Sequence, residues 1–114
     1  MSDLEDKVTN IVSSAAFDFR KAATVFLRDE DRYVHIADDG NGLSATFGAA
    51  ADWDDAPDAD LVVSMDTETL QDVLDGNITG IMGLWGKADI NKGKMPYASA
   101  LIDEIGAARL DLGL

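Results

Sequence analysis

An α+β fold, with a five-stranded and mostly antiparallel sheet covered on one face by helices, is predicted by three features of the 114-residue sequence. Apolar residues recur at helical spacing near both ends and again in the second half. Three consecutive segments of period two are joined by tight polar turns, which predicts an antiparallel meander. The later strand-like segments alternate with short helical ones, and helices inserted between strands are free to pack together on one face.

Ser2-Asp3-Leu4-Glu5 fits a capping box, and Leu4, Val8, Ile11, Val12, Ala15 and Phe19 follow it at helical spacing. An amphipathic helix is expected from about Asp3 to Phe19. Ala23 to Arg28 is β-branched and aromatic and reads as a strand apolar on both faces. After the turn Asp29-Glu30-Asp31, Arg32 to Ala37 sets Val34 and Ile36 on one face and Tyr33 and His35 on the other. Asp38-Asp39-Gly40-Asn41-Gly42 is turn chemistry, and Leu43, Ala45 and Phe47 then alternate with Ser44 and Thr46.

Residues 49–60 read as a loop with five Asp, Pro57 and Trp53. Leu61, Val63 and Met65 alternate with Val62 and Ser64 in a fourth strand. Asp66 or Thr67 is placed to cap a short helix with Leu70, Val73 and Leu74 on its apolar face and Gly76 as its stop. Ile78, Ile81, Met82 and Trp85 suggest a second short helix, although Gly80 and Gly83 each cost it about 1 kcal/mol against Ala. Lys87 to Asn91 reads as a fifth strand with Ala88 and Ile90 inward. Pro96 suits the first turn of a last helix lined by Tyr97, Leu101, Ile105 and Ala108, with Ala98 and Ile102 beside them.

A single domain spanning 1–114 is expected from this length. There is no cysteine, hence no disulfide or thiolate metal site, and no signal peptide or membrane-spanning run, so a cytoplasmic location is expected. Nine Lys and Arg stand against 22 Asp and Glu, a net charge of −13. A field of that sign repels phosphate backbones, which argues against nucleic acid and allows at most transient membrane contact.

The motifs that carry chemistry elsewhere fail here on context. His35 is the single histidine and lies on the outer face of a strand, so it reads as a surface or edge-strand residue and not as a general base. Asp52, Asp54, Asp55, Asp58 and Asp60 lack the Gly and Glu of a calcium loop, since Pro57 and Val63 occupy those positions. Gly40-Asn41-Gly42-Leu43-Ser44-Ala45 has the form of a dinucleotide fingerprint but opens a strand inside a hairpin. Gly86-Lys87-Ala88-Asp89 has no phosphate-binding loop to accompany it, and Asn77-Ile78-Thr79 is a sequon without a secretory signal. No catalytic residue, metal or cofactor is expected, and the chain reads as a binding protein, not an enzyme.

Three stretches taken together resemble the sterol carrier protein 2 lipid-binding family: Asp58 to Asp66, Thr69 to Gly76, and Gly80 to Gly93. They show the same order of parts, an apolar strand closed by Ser64, a helix ending in Leu74-Asp75-Gly76, a short apolar segment with Trp85, and Gly86-Lys87-Ala88-Asp89-Ile90. Asn91-Lys92-Gly93 departs from the pattern by one inserted residue. The resemblance covers about residues 20 to 110. It implies an internal apolar tunnel holding a fatty acyl, isoprenoid or sterol-like chain, bounded by Leu70, Val73, Leu74, Ile81, Met82, Trp85 and Ile90, with Phe26, Val34 and Phe47 from the sheet. Leu101, Ile102 and Ile105 of the last helix would form a movable wall. Two alternatives stand beside this: an accessory protein that uses the same cavity to present a lipid or quinone precursor to an enzyme, and a ligand-free dimerisation or interaction module with a filled core, favoured if the Trp53 loop is a buried contact. Either a monomer or a homodimer is compatible with the sequence.

Overall fold

The computed structural model describes residues 3–113. In chain order these form α1 (Asp3–Ser13), β1 (Ala23–Leu27), β2 (Arg32–Asp38), β3 (Leu43–Ala49), a 3-10 turn η1 (Trp53–Asp55) and β4 (Leu61–Met65). Then come α2 (Thr67–Asp75), a second 3-10 turn η2 (Ile81–Leu84), β5 (Ala88–Lys92) and α3 (Met95–Leu112). The strands make one sheet in the order β3-β2-β1-β4-β5. Every neighbouring pair is antiparallel except β1 with β4.

That parallel pair has a simple cause. β3 ends beside the Leu27 end of β1, while β4 begins beside Ala23 at the other end. Residues 50–60 must therefore run the length of the sheet, and they do so across one face. Thr24 Oγ1 donates to the Pro57 carbonyl, 2.7 Å away, and η1 lies against β4. The crossing buries Thr24, Phe26, Val62 and Ser64. This is why β1 is buried along its whole length, as its two apolar faces require.

Register sorts the other face. Val25 is aligned with Val34 and Val63, Val34 with Phe47, and Val63 with Ile90. With Ile36, Leu61 and Met65 they face the three helices, α1 lying over β3 and α3 over β4. Burying a Val, Leu or Ile side chain contributes roughly 1.5–3 kcal/mol, so this layer is the main source of stability.

Three local expectations are corrected. α1 stops at Ser13 instead of Phe19. The Ser14 hydroxyl accepts from the Ala16 N–H (3.2 Å) and donates to Asp111 (2.8 Å), giving the backbone an alternative to the helix. Phe17 and Phe19 reach the core from the extended chain that follows. The capping box at Ser2 lies outside the described residues. At α2, the Asp66 side chain makes no capping bond. Asp29, from the β1–β2 turn, accepts instead from the Thr67 N–H and hydroxyl, each at 2.9 Å.

The second short helix is reduced to η2, since glycine gives residues 78–85 too little helical preference to continue. Gly76 ends α2 as expected, in the left-handed conformation at φ +83°. The Arg109 guanidinium occupies the space a Cβ would need there, and Nη2 donates to the Asp75 carbonyl at 2.8 Å.

Candidate functional site

Where the sheet meets the helices lies an apolar cavity of about 40 Å³. Val8, Ile11 and Val12 of α1, Phe17, and Val25, Val34, Ile36, Leu61, Val63 and Met65 of the sheet form part of its wall. Leu70, Val73 and Leu74 of α2, Leu84 of η2, and Ala98, Leu101, Ile102 and Ile105 of α3 complete it. All eighteen side chains are apolar. Such a wall presents no donor, acceptor or charge to a reacting group. It can exclude water and make dispersion contacts, which is the chemistry of holding an apolar guest.

Size sets a condition on that guest. About 40 Å³ is close to one water's share of liquid, roughly 30 Å³. Ligand pockets run from about 300 to 1,000 Å³. An acyl chain therefore enters only if a wall moves.

Of the thirteen residues the sequence assigned to a tunnel, Val34, Leu70, Val73, Leu74, Leu101, Ile102 and Ile105 line this cavity. Phe47 and Ile81 pack at the margin of the same core. Phe26 is aligned with Tyr33 and Ser64 and lies on the opposite face of the sheet, so Val25 takes the inward place. Ile90 is aligned with the inward row but sits on the edge strand, exposed. Met82 and Trp85 are 75% and 76% exposed. A 3-10 turn repeats every three residues, so the pair Ile81 and Leu84 turns in and the pair Met82 and Trp85 turns out.

The wall residues that sequence reasoning left out are mainly those of α1, Phe17, the alternate sheet positions, Leu84 and Ala98. The four-residue loop between β1 and β2 held one signal, because it sets Val25 opposite Val34.

The polar groups of the opposite face are structural ties. Pro57 O only accepts, so the single Thr24 hydroxyl proton goes there, and His35 Nδ1 must donate to Thr24 Oγ1, 2.9 Å away. Half-buried His35 thus helps to fix the crossing loop. The acids of that loop have similar tasks. Asp52 accepts from the Trp53 N–H and Asp60 from the Ala22 N–H. The Lys92 ammonium bonds to the Asp58 carboxylate and, with its charge, holds that group below the usual carboxylate pKa. Among the described residues no group of three or more His, Cys, Asp or Glu is placed to hold a metal ion, and no helix is long and apolar enough to cross a membrane.

No protein-family model matches the chain, and no curated protein matches it significantly in sequence. Solved structures do match in shape. A crystal structure of sterol carrier protein 2 aligns over 96% of this chain and 95% of its own, with a TM-score of 0.65 at 19% identity. The solution structure of a conserved hypothetical protein of Thermus thermophilus, described as possibly a sterol carrier protein, covers 94% of this chain and 84% of its own. Its TM-score is 0.61 at 20% identity. The UbiJ-SCP2 ubiquinone synthesis protein covers 90% and 84%, with a TM-score of 0.61 at 13% identity. With five strands in a mixed sheet and three helices over one face, the chain has the fold of sterol carrier protein 2.

Proposed function

We propose that the chain is a non-catalytic carrier, taking a fatty acyl, isoprenoid or sterol-like chain between its sheet and its helices. The observation that carries this reading is the wholly apolar wall where sheet and helices meet, closed on one side by Leu84 of a short turn. The sheet and the three helices are tied by extensive packing, and moving them exposes much of the core. Residues 77–85 send only Ile78, Ile81 and Leu84 inward and are bracketed by Gly76 and Gly86, at φ +83° and +79°. Displacing this turn is the least costly way to open the cavity. A guest contributes roughly 0.8 kcal/mol per buried CH₂, so about ten carbons offset the exposure of two or three such side chains.

The likeness to sterol carrier protein 2 supports a bound lipid. The likeness to a ubiquinone synthesis protein supports a second reading, in which the cargo is a quinone precursor presented to an enzyme. The small cavity volume supports a third, a ligand-free interaction module.

Native mass spectrometry of the purified protein, before and after addition of palmitate or a sterol, separates the carriers from the module. An adduct of lipid mass is expected, and identification of the extracted lipid then decides between the first two readings. Ala98→Leu, which places extra methyl groups in the cavity, should cut uptake several-fold while the fold is retained. A bare chain mass with both lipids, or uptake unaffected by Ala98→Leu, would count against a carrier.

A further inference from the structure

Arg109, in the last turn of α3, is the one arginine that makes no ion pair among the described residues, in a chain with 22 acids. Its guanidinium lies over Gly76 at the end of α2, where Nη2 donates to the Asp75 carbonyl. Its Nε is buried without a hydrogen-bond partner, the single such side-chain nitrogen or oxygen among the described residues. A charged donor left buried and unmet is costly. Bracing the end of α2 uses only the arm that ends in Nη2, so it does not account for Nε.

Arg109 is part of the wall of a groove of about 330 Å³ between α3 and the end of α2 with the residues that follow it. The wall is mainly apolar, with Val73, Ile78, Ile102 and Leu110 in it. Gly106 also lines it, and a glycine inside a helix weakens that helix. Close packing does not explain this one, because a Cβ there would meet no atom within 4 Å beyond the helix itself. Val73 and Ile102 line the enclosed cavity as well, so they form a partition between the two spaces. Ile78 belongs to the turn whose displacement opens that cavity, and the same motion joins it to the groove.

The acids of the two framing helices leave Arg109 free for an outside anion. Asp75 pairs with Lys7 at 2.7 Å, Asp72 accepts from the Asn77 side chain, and Asp111 accepts from Ser14. Glu104 lines a different groove with Arg20 and Lys21, and Glu68 lies in the first turn of α2, at its far end. Exposed Asp103 is the one acid in the wall of this groove, and it makes no ion pair with Arg109.

We infer that this groove receives the head of the guest and that the head is a carboxylate, bound by Arg109. The guanidinium meets it with Nε and a neighbouring N–H, the two-pronged contact that suits a carboxylate. The apolar chain passes between Val73 and Ile102 into the cavity. A single negative charge fits better than the double charge of a phosphate monoester, since Asp103 stands in the same wall and the whole chain carries −13. The inference rests on the carrier role proposed above and narrows its cargo to lipid acids, with neutral sterols left out.

Equilibrium dialysis of the full chain against laurate, dodecanol and dodecyl phosphate, which share one tail and are kept below micelle formation, provides the test. Laurate should bind about tenfold more tightly than dodecanol at neutral pH. Arg109→Gln should remove that preference and leave dodecanol binding unchanged, whereas a purely structural role for Arg109 would lower both alike. Gly106→Leu keeps Arg109 and adds helical preference, so it should weaken laurate binding several-fold without lowering the urea midpoint. Equal binding of laurate and dodecanol, a preference that survives Arg109→Gln, or laurate binding indifferent to Gly106→Leu would overturn the inference and leave the carrier reading in place. Dodecyl phosphate bound more tightly than laurate would overturn the carboxylate in favour of a phosphate head. Binding of none of the three removes the carrier reading, and this inference with it.

Discussion

Asp29 joins the β1–β2 turn to the start of α2 through one carboxylate. Burial on its own would raise the pKa of this group, but hydrogen bonds from the Thr67 N–H and hydroxyl, with help from Arg28, outweigh it and bring the pKa below the ordinary 3.8. A folded pKa below the unfolded one means stability that is present above the unfolded pKa and lost as pH falls through the folded value. Asp29→Ala is therefore expected to lose about 1 kcal/mol at neutral pH, the usual effect of removing a cap. The deficit should begin to shrink as the pH falls below about 4, where the unfolded wild-type chain takes up the proton, and should be lost below the lowered folded pKa, where the native carboxylate is protonated too. Urea unfolding of both proteins at neutral and acid pH checks this, and a deficit independent of pH would mean that the carboxylate charge is irrelevant. Thr24 presents a different case. Its hydroxyl satisfies both Pro57 O and His35 Nδ1, so Thr24→Val leaves two polar groups unpaired. A loss of about 1–3 kcal/mol is expected. Neither tie was legible in the sequence, because each joins residues distant along the chain through side-chain geometry. Phe26 shows the same limit, since a strand apolar on both faces does not reveal which face meets the helices.

The strands were the most legible elements, and the reason is physical. Alternation of Val34 and Ile36 with Tyr33 and His35 records a face, and the Asp–Gly–Asn turn records the reversal. β4 was expected at Leu61 to Met65, where it is found. Helix ends were less legible, because the hydroxyl of Ser14 outcompetes an apolar pattern that continues to Phe19. The closing turn was least legible. Ile78, Ile81, Met82 and Trp85 have α-helical spacing, but a 3-10 turn reassigns which of them face inward, and Leu84 takes the place expected of Trp85. The two glycines that bracket this turn are separable by mutation. A Cβ at Gly86 meets no atom within 4 Å, so Gly86→Ala adds only the left-handed strain of about 1–2 kcal/mol. Gly76→Ala adds to the same strain a collision with the Arg109 guanidinium, and should cost more. Denaturant midpoints of the two variants give the comparison. Equal losses would mean that Arg109 moves aside freely and is not a brace for the end of α2.

For the molecule as a whole, the charge of −13 opposes compaction, and seven ion pairs among the described residues do little to relieve it. Most have at least one partner substantially exposed, and pairs of that kind contribute about 0–1 kcal/mol each. Salt screens both effects, so the sign of its net action tells which is larger. Raising sodium chloride from about 0.1 M to about 1 M shortens the Debye length from about 10 Å to about 3 Å. Repulsion among acids spread over the surface acts across many ångströms and is then largely removed. The close pairs, such as Arg32 with Glu5 at 2.6 Å, are screened much less. Stability should therefore rise with salt, read as a higher urea midpoint with an unchanged slope. Lowering the acid excess should flatten that response, and Asp54→Asn with Asp55→Asn, two exposed acids of the crossing loop, is a suitable pair of changes. If salt instead lowered the midpoint, the ion pairs would outweigh the repulsion, and the acidic surface would have to be understood as a set of specific contacts and not as a diffuse field.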